Sequence, residues 1–351
     1  MFELNKTILA LGAESAGNFC YLSKGKVEYC NDFGDLLDEE NYQKYLLKLN
    51  SILKEKKINP NIILTDLHPL FKTTKLGESL AKKNNAKLIK VQHHMAHASA
   101  AAFEYDKSVE EFVAITSDGT GYLDDRTLWG GEVLVFQNKK FTKIGGLEEM
   151  KLLGGEKAIN EPARMLLSIL LQTQDLITTK EYIKKYFSDQ EFEVLVKQFK
   201  QSFNCLTTTG TARVLDAVSV LLGFSKNEKE YKHQPVDLLE KNSTKSFELE
   251  PKIDSNTLSI KSLFEFLIKN LDKDKKRLAA TAQLYLAQGF YRIAISQKIN
   301  HILFSGGMAD NKIMSDYMKS QKVFINKKFP SGDKGISLGQ LNYYLLTNSG
   351  D

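Results

Sequence analysis

The sequence predicts an α/β protein of two related lobes facing each other across a cleft. Three observations carry that expectation. Short apolar runs rich in Ile, Leu and Val alternate with segments of helical periodicity, which indicates α/β layers and a partly parallel sheet. One device occurs twice: a strand, an acidic residue, glycines and a return strand, at Gly12–Glu14 and again at Asp118–Gly121. Finally, 351 residues, of which 42% are hydrophobic, are ample for a sizeable core and more typical of two lobes than of one.

Thr7–Glu14 reads as a strand running into a Gly-punctuated turn, and Asn18–Leu22 as its return strand. From Asp38 to Lys57, Tyr45, Leu46, Leu49, Ile52 and Leu53 recur at helical spacing. Asn61–Thr65 is a buried strand ending at Asp66. A helix follows near Leu76–Asn84, then the strand Lys87–Val91 and an Ala-rich helix. Phe112–Ser117 is a second buried strand, ending at Asp118-Gly119-Thr120-Gly121, with a return strand over Leu128–Phe136. Ala158–Leu239 reads as helical, and the polar stretch Glu228–Lys245 as a mobile insertion. Arg277–Gln297 is a long amphipathic helix. His301–Phe304 is a strand into Ser305-Gly306-Gly307 with a helix beyond, and a last helix begins near Ile336. No short-period repeat is present.

Net charge is +5, from 48 basic and 43 acidic residues. The lysines are scattered. Clusters such as Lys54-Glu55-Lys56-Lys57 and Asp272-Lys273-Asp274-Lys275-Lys276-Arg277 read as solvated faces, so no nucleic-acid track is expected. A modest attraction for anionic ligands is all that this charge supports. Cys20, Cys30 and Cys205 form no CxxC, which argues for a reducing compartment and against structural zinc. No apolar run approaches about 18 residues, so no membrane span is expected. The opening Met1-Phe2-Glu3-Leu4-Asn5-Lys6 lacks a signal-peptide pattern, which makes the cytoplasm the expected location.

Three of the six histidines fall within Val91-Gln92-His93-His94-Met95-Ala96-His97. The segment is free of Gly and Pro and should be helical. Positions i and i+4 share a helix face, so His93 and His97 can hold one ion between them, while His94 points elsewhere. The competing reading is a polar helix face, because the general base of HExxH is missing. Glycines at strand ends let backbone N–H groups approach a phosphate. Asp118-Gly119-Thr120-Gly121, Leu153-Gly154-Gly155-Glu156-Lys157 and Ser305-Gly306-Gly307 all qualify, and together they favour nucleotide binding over simple turns. The Walker GxxxxGK[ST] and the GxGxxG fingerprint are both missing. Asp118 and Asp333 stand beside glycines, where a carboxylate would complete a metal site begun by the histidines. Each can equally cap a turn, Asp333 ahead of the helix near Ile336.

These motifs, in this order, resemble the C-terminal domain of the hydrogenase-maturation carbamoyltransferases (HypF type). That domain is in turn similar to the universal tRNA threonylcarbamoyl-transferase proteins. The matching stretches run nearly end to end. They are Leu9–Glu14, Asp66-Leu67-His68-Pro69, His93-His94 with His97, Ser117–Tyr122, Leu128–Glu132, Gly154–Ala158 with Glu161-Pro162, Leu215-Asp216-Ala217, Ser305–Gly307 with Asn311, and Pro330–Gln340. The resemblance implies an actin-like, two-lobed ATPase fold of the sugar-kinase/Hsp70 type. It implies a divalent metal, iron or zinc, held by His93, His97, Asp118 and Asp333. It implies an ATP/AMP site from Gly154, Gly155, Glu156, Lys157, Asp216, Gly306, Gly307 and Asn311. The expected reaction is metal-assisted acyl transfer, with Lys157 the one side-chain candidate for a direct role. In that family the domain takes carbamoyl-adenylate and passes the carbamoyl group to the C-terminal cysteine of a HypE-type partner.

The division implied is 1–108 for lobe I, with a helix at 335–351 packing back on it, and 109–334 for lobe II. The acylphosphatase-like, zinc-finger and adenylate-forming (YrdC-like) parts of the full-length family are not in this sequence, so a separate adenylate-forming domain or chain is implied. Several pocket residues depart from the family. Ala16 and Gly17 stand at about the positions of a lysine and an asparagine. Tyr231-Lys232-His233-Gln234 replaces Tyr-Glu-Gly-Gln, Thr208–Arg213 replaces a Ser-Ser-x-Gly-Arg stretch, and Ala282-Gln283 replaces a Phe-His pair. Three readings follow: a carbamoyl-transfer domain, a non-catalytic nucleotide-binding subunit of a carbamoylating complex, or a relative of the tRNA threonylcarbamoyl-transferases.

Overall fold

The structure, a computed structural model, describes residues 6–31, 33–106, 109–125 and 127–348. Its first sheet is assembled from β1 (Ile8–Ala10), β2 (Phe19–Ser23), β3 (Lys26–Cys30), β4 (Ile62–Asp66) and β5 (Lys87–Val91), in the order β3-β2-β1-β4-β5. β1, β4 and β5 run parallel, β2 runs antiparallel to β1, and β3 runs antiparallel to β2. Parallel neighbours need crossovers, which α1 (Glu39–Glu55) and α2 (Lys72–Asn84) supply. The Asp38 carboxylate caps α1 by accepting the Asn41 N–H, as its place before the helical periodicity predicts. Tyr45, Leu49 and Ile52 on α1 pack with Leu9, Leu11 and Ile63 on one face of the sheet.

α3 (His93–Tyr105) follows β5 directly. Its Gln92 N-cap side chain accepts the N–H groups of His94 and Met95. The second sheet is larger: β6 (Phe112–Tyr122), β7 (Thr127–Gln137), β8 (Lys140–Leu147), β9 (Met150–Leu153), β10 (Cys205–Thr208), β11 (Ile253–Asp254), β12 (Thr257–Leu258), β13 (Ile302–Ser305) and β14 (Phe324–Ile325). The main order is β11-β12-β8-β7-β6-β13-β14, with β10 pairing both β7 and β9. Its helices are α4 (Lys157–Asn160), α5 (Ala163–Thr173), α6 (Leu176–Ile183), α7 (Asp189–Gln201), α8 (Thr211–Leu222), α9 (Gln234–Lys241), α10 (Ile260–Lys269), α11 (Lys275–Ile295) and α12 (Lys312–Ser320). A last helix, α13 (Ile336–Asn348), returns to the first sheet. There Leu338, Leu341 and Tyr344 pack on Ile8, Ala10, Leu22 and Leu64, on the face opposite α1. Among the described residues no helix is long and apolar enough to cross a membrane.

α3 and α13 form the layer between the sheets. Ala98, Ala101 and Ala102 of α3 meet Phe112, Ala114 and Leu134 of the second sheet. On its other side α3 touches α13 so closely that a Cβ on Gly339 would lie 1.9 Å from the Ala96 carbonyl oxygen. The Asn342 amide donates to the Ser99 carbonyl at 2.9 Å. An Ala-rich helix is what such a sandwich requires, since larger side chains would hold its neighbours apart.

Three expectations are corrected. Asp118–Gly121 is no strand-ending turn: β6 continues to Tyr122, with a register shift between Ser117 and Gly121 that lifts Asp118 out of the ladder. Ala158–Leu239 is not helical throughout, because β10 crosses it to pair with β7 and β9. Glu228–Lys245 is no loose insertion. It folds into α9, with Pro235 in the first turn, and Lys229 just ahead of it is tied to Asp216 at 2.8 Å.

Candidate metal centre and cleft

His93 and His97 sit one turn apart on α3, Asp118 on the bulged part of β6, and Asp333 in the 3-10 turn Asp333–Gly335 that leads into α13. One ligand-capable atom from each lies within 4.8 Å of all the others. His97 Nε2 is 2.9 Å from Asp118 Oδ2 and 3.4 Å from Asp333 Oδ1. His93 Nε2 is 3.6 and 3.3 Å from the same two oxygens. The imidazole planes stand at 85°, so the two nitrogens approach one point from different directions. Three of the four remaining atoms are engaged elsewhere. Asp118 Oδ1 accepts the Gly119 N–H at 2.6 Å, Asp333 Oδ2 accepts the Ser15 hydroxyl, and His93 Nδ1 meets Asp66 Oδ2 at 2.7 Å.

Burial alone would pull both imidazoles down, but the carboxylates outweigh it. Asp66, Asp118 and Asp333 hold His93 well above its usual range, and Asp118 and Asp333 hold His97 above it. Asp118 and Asp333 are held below the usual carboxylate range, because the two imidazoles overcome burial and, at Asp118, the repulsion of Asp333. A partly buried pair of carboxylates that demands this much positive charge fits a divalent cation. Two imidazole nitrogens and two carboxylate oxygens suit iron, zinc or manganese.

His94 turns away, as its position on the helix predicts. It is fully buried, with Nε2 3.6 Å from Glu132 Oε2, and burial presses it well below the usual histidine range. Glu132 is fully buried too. It accepts the Gly131 N–H at 2.9 Å and the Thr209 hydroxyl, yet burial raises its carboxyl to about 7. The fold therefore prefers the protonated acid. Its stabilising proton is fully bound below about 4.5, the unfolded value, and stability falls as pH climbs from there to about 7. Glu132→Gln should remove this dependence. The difference in unfolding free energy between variant and parent should shift in the variant's favour between pH 4.5 and 7, by on the order of 3 kcal/mol. Urea titrations across that range check it, and a pH-independent difference would show that Glu132 is ionised throughout.

Three of the four candidate ligands, His93, Asp118 and Asp333, edge a cavity of about 1000 Å³ between the lobes. Gly307 and Asn311 line it. Gly306 lies just behind, at φ 97°, with its Cα against Ser117, where a Cβ would come 2.3 Å from the Ser117 carbonyl oxygen. Asn311 spends both amide hydrogens on the protein, at 2.9 Å from Glu240 and 2.7 Å from Gln283, while its oxygen caps α12. It therefore shapes the start of α12.

The other glycine pair is placed differently. Glu156 lines the cavity, whereas Gly154, Gly155 and Lys157 do not. Gly154 and Gly155 make the tight turn from β9 into α4, which has only four residues. The Lys157 side chain is 62% exposed and pairs with Glu161 at 3.4 Å. Asp216 lies beneath the wall, 3.1 Å from Arg213 Nη1 and 2.8 Å from Lys229 Nζ. The cations that it holds, Arg213 and Lys229, reach the cavity, together with Lys232 and His233. Arg213, Lys232 and His233 were noted only within pocket stretches that depart from the family, and Lys229 was missed. The spacing of Arg213 and Asp216 on one helix face was the available signal. Asp66, Ser15 and His68 were likewise missed. His68 stacks on Phe71 at 4.2 Å and also lines the cavity.

Two sheets with helices between them, meeting at a central cleft to which both contribute, define a two-lobed, actin-like ATPase (ASKHA) fold. Residues 3–104 match the family described as "HypF Kae1-like domain", and residues 114–340 match "Carbamoyltransferase, Kae1-like Domain, second subdomain". The chain belongs to the HypF carbamoyltransferase family, in its Kae1-like region. It is 37% identical to the "Probable carbamoyltransferase HypF" of Methanocaldococcus jannaschii, over 98% of this chain and 47% of that protein. It is 26% identical to the "Carbamoyltransferase HypF homolog" of Cupriavidus necator, over 95% of this chain and 90% of that one. The crystal structure of full-length HypF in its phosphate- and nucleotide-bound form superposes with a TM-score of 0.86 at 26% identity, over 98% of this chain and 56% of that one. The chain thus spans about half the length of the first relative and of the solved structure.

Proposed function

We propose that this chain transfers a carbamoyl group from carbamoyl-adenylate to the C-terminal cysteine of a HypE-type partner, in the cytoplasm, during nickel–iron hydrogenase maturation. A separate adenylate-forming domain or chain supplies the activated group. One observation carries the reading: four donors, His93, His97, Asp118 and Asp333, converge, and three of them, His93, Asp118 and Asp333, line a cleft walled by Arg213, Lys229 and Lys232. The nucleotide in the related HypF structure supports an adenylate in this cleft.

A divalent metal, iron or zinc, bound by the four donors would supply Lewis acidity at the carbamoyl carbonyl or the phosphate. The chain's own cations do the rest. Arg213 and Lys229, steadied by Asp216, face the anionic phosphate and neutralise charge as it leaves. The incoming thiol loses its proton to solvent. A C–S bond forms at the carbamoyl carbon as the C–O bond to the phosphate breaks, and AMP departs.

A second reading, a nucleotide-binding subunit without turnover, draws on Ala16. This residue lines the cleft where the family resemblance calls for a lysine. One assay separates the two. Carbamoyl phosphate, ATP, an adenylate-forming domain, this chain and the HypE-type partner are combined, and the partner's intact mass is read. A carbamoyl adduct that requires this chain supports transfer. AMP binding without an adduct supports the second reading. Asp333→Asn, which keeps the shape but removes an anionic donor, should reduce the adduct at least about 10-fold while leaving the circular dichroism unchanged. Full activity in that variant would confine Asp333 to its turn.

A further inference from the structure

The partners behind the metal ligands are unequal. Asp118 is steadied by the Gly119 N–H, Asp333 by the Ser15 hydroxyl, and His93 by the Asp66 carboxylate at 2.7 Å. The far nitrogen of His97, Nδ1, is buried without a hydrogen-bond partner. Asp66 is itself built in. It ends β4, is 1% exposed, accepts the His68 N–H at 2.9 Å through Oδ1, and its carbonyl accepts the Thr74 hydroxyl at 3.1 Å. Its second oxygen is thereby aimed at His93.

We propose that Asp66 is a positioning residue that makes His93 the anchoring ligand of the metal centre, and that His97 is the weaker arm. The contact fixes the proton on Nδ1, so that Nε2 always presents its lone pair to the ion. It also increases the electron density that the ring can donate. His97 has neither aid. A proton on its Nδ1 is desolvated and unshared, so the ring donates less and is less firmly oriented. A centre with one strong and one weak imidazole would hold its ion while preserving the Lewis acidity that the ion supplies. This inference rests on the four-ligand reading above but concerns a residue outside it.

The test uses the full chain and Co²⁺ or Zn²⁺ alone. Affinity is measured by competition with a chromogenic chelator, and the Co²⁺ absorption bands are recorded. Asp66→Asn keeps the volume and the His68 contact but removes the charge, and Asp66→Ser removes the His93 contact as well. Metal affinity should fall about 10- to 100-fold, more in Asp66→Ser than in Asp66→Asn, with altered Co²⁺ bands and an unchanged far-ultraviolet spectrum. Either variant suffices if the other does not fold. Parent-like affinity and bands in a folded variant overturn the positioning role and leave the metal centre standing. A parent chain that takes up neither metal overturns the centre itself.

Discussion

His93→Ala should abolish tight divalent-metal binding and His97→Ala should weaken it less, and His93→Ala should lower the stability of the metal-free chain more than His97→Ala does. Either change leaves three donors, with one imidazole and two carboxylates that repel each other. The difference arises behind the ligands. Without His93, the Asp66 carboxylate, 1% exposed, keeps the His68 N–H but faces no cation. Removing one member of a buried charged pair costs about 3–5 kcal/mol, and the remaining hydrogen bond points to the lower end. His97→Ala also takes a partner from Asp118 and Asp333, but these carboxylates are 16% and 22% exposed and keep His93 beside them, so the loss is smaller. Metal content after dialysis and thermal unfolding in chelator measure the two effects separately. Unchanged metal content in either variant would remove that histidine from the ligand set. Equal stability of the two metal-free variants would mean that Asp66 gains nothing from His93.

Gly339→Ala should be among the most damaging single-methyl changes in the chain. The added Cβ would sit 1.9 Å from the Ala96 carbonyl oxygen and 2.6 Å from its carbonyl carbon. These are backbone atoms near the start of α3, so no side-chain rotation relieves the clash, and α3 and α13 must move apart. Overpacking costs about 1–3 kcal/mol where side chains can yield, and a contact between two backbones belongs at or beyond the top of that range. The separation also shifts His93 and His97, which flank Ala96 on the same helix. Reduced metal affinity should therefore accompany the loss of stability. Gly223→Ala is the control: a Cβ there meets nothing within 4 Å, and its cost is that of a positive φ alone. A Gly339→Ala chain as stable as the parent would show that the two helices are not in this contact in solution.

The parts of the fold that were legible are those with local causes. Asp38 before an apolar periodicity announces α1, and four residues between His93 and His97 in a segment free of Gly and Pro put both on one face. Strands β8, β11 and β12 went unseen, because their signal is a two-residue turn with both residues at positive φ. Asn138-Lys139 (53° and 60°) and Ser255-Asn256 (48° and 64°) make such turns, and only their asparagines hint at them. Gly154 and Gly155 looked like a phosphate cradle. A tight turn into a short helix needs the same positive φ whether or not a ligand is near. Asp333 could not be joined to His93 by any spacing rule, since 240 residues separate them; family resemblance supplied that pairing. Lys229 and Lys232 fell in the stretch read as a mobile insertion because it is polar and aperiodic, and Lys232 stood out only as a departure from the family's pocket motif. Their place in the cleft is fixed by Asp216 and by the packing of Val236 and Leu239 on α9, which are long-range facts.

The return of α13 to the first sheet bears on the order of assembly. The strands of that sheet are complete once Val91 has been synthesised, but one of its faces is closed by Leu338, Leu341 and Tyr344. At roughly 5–20 residues per second, the ribosome needs on the order of 10–50 s to supply them. During that interval Ile8, Ala10, Leu22 and Leu64 form an apolar surface without its cover. A nascent chain of this design offers chaperones a defined early binding face. It also couples the two lobes kinetically, because the first cannot finish folding until the second has been made.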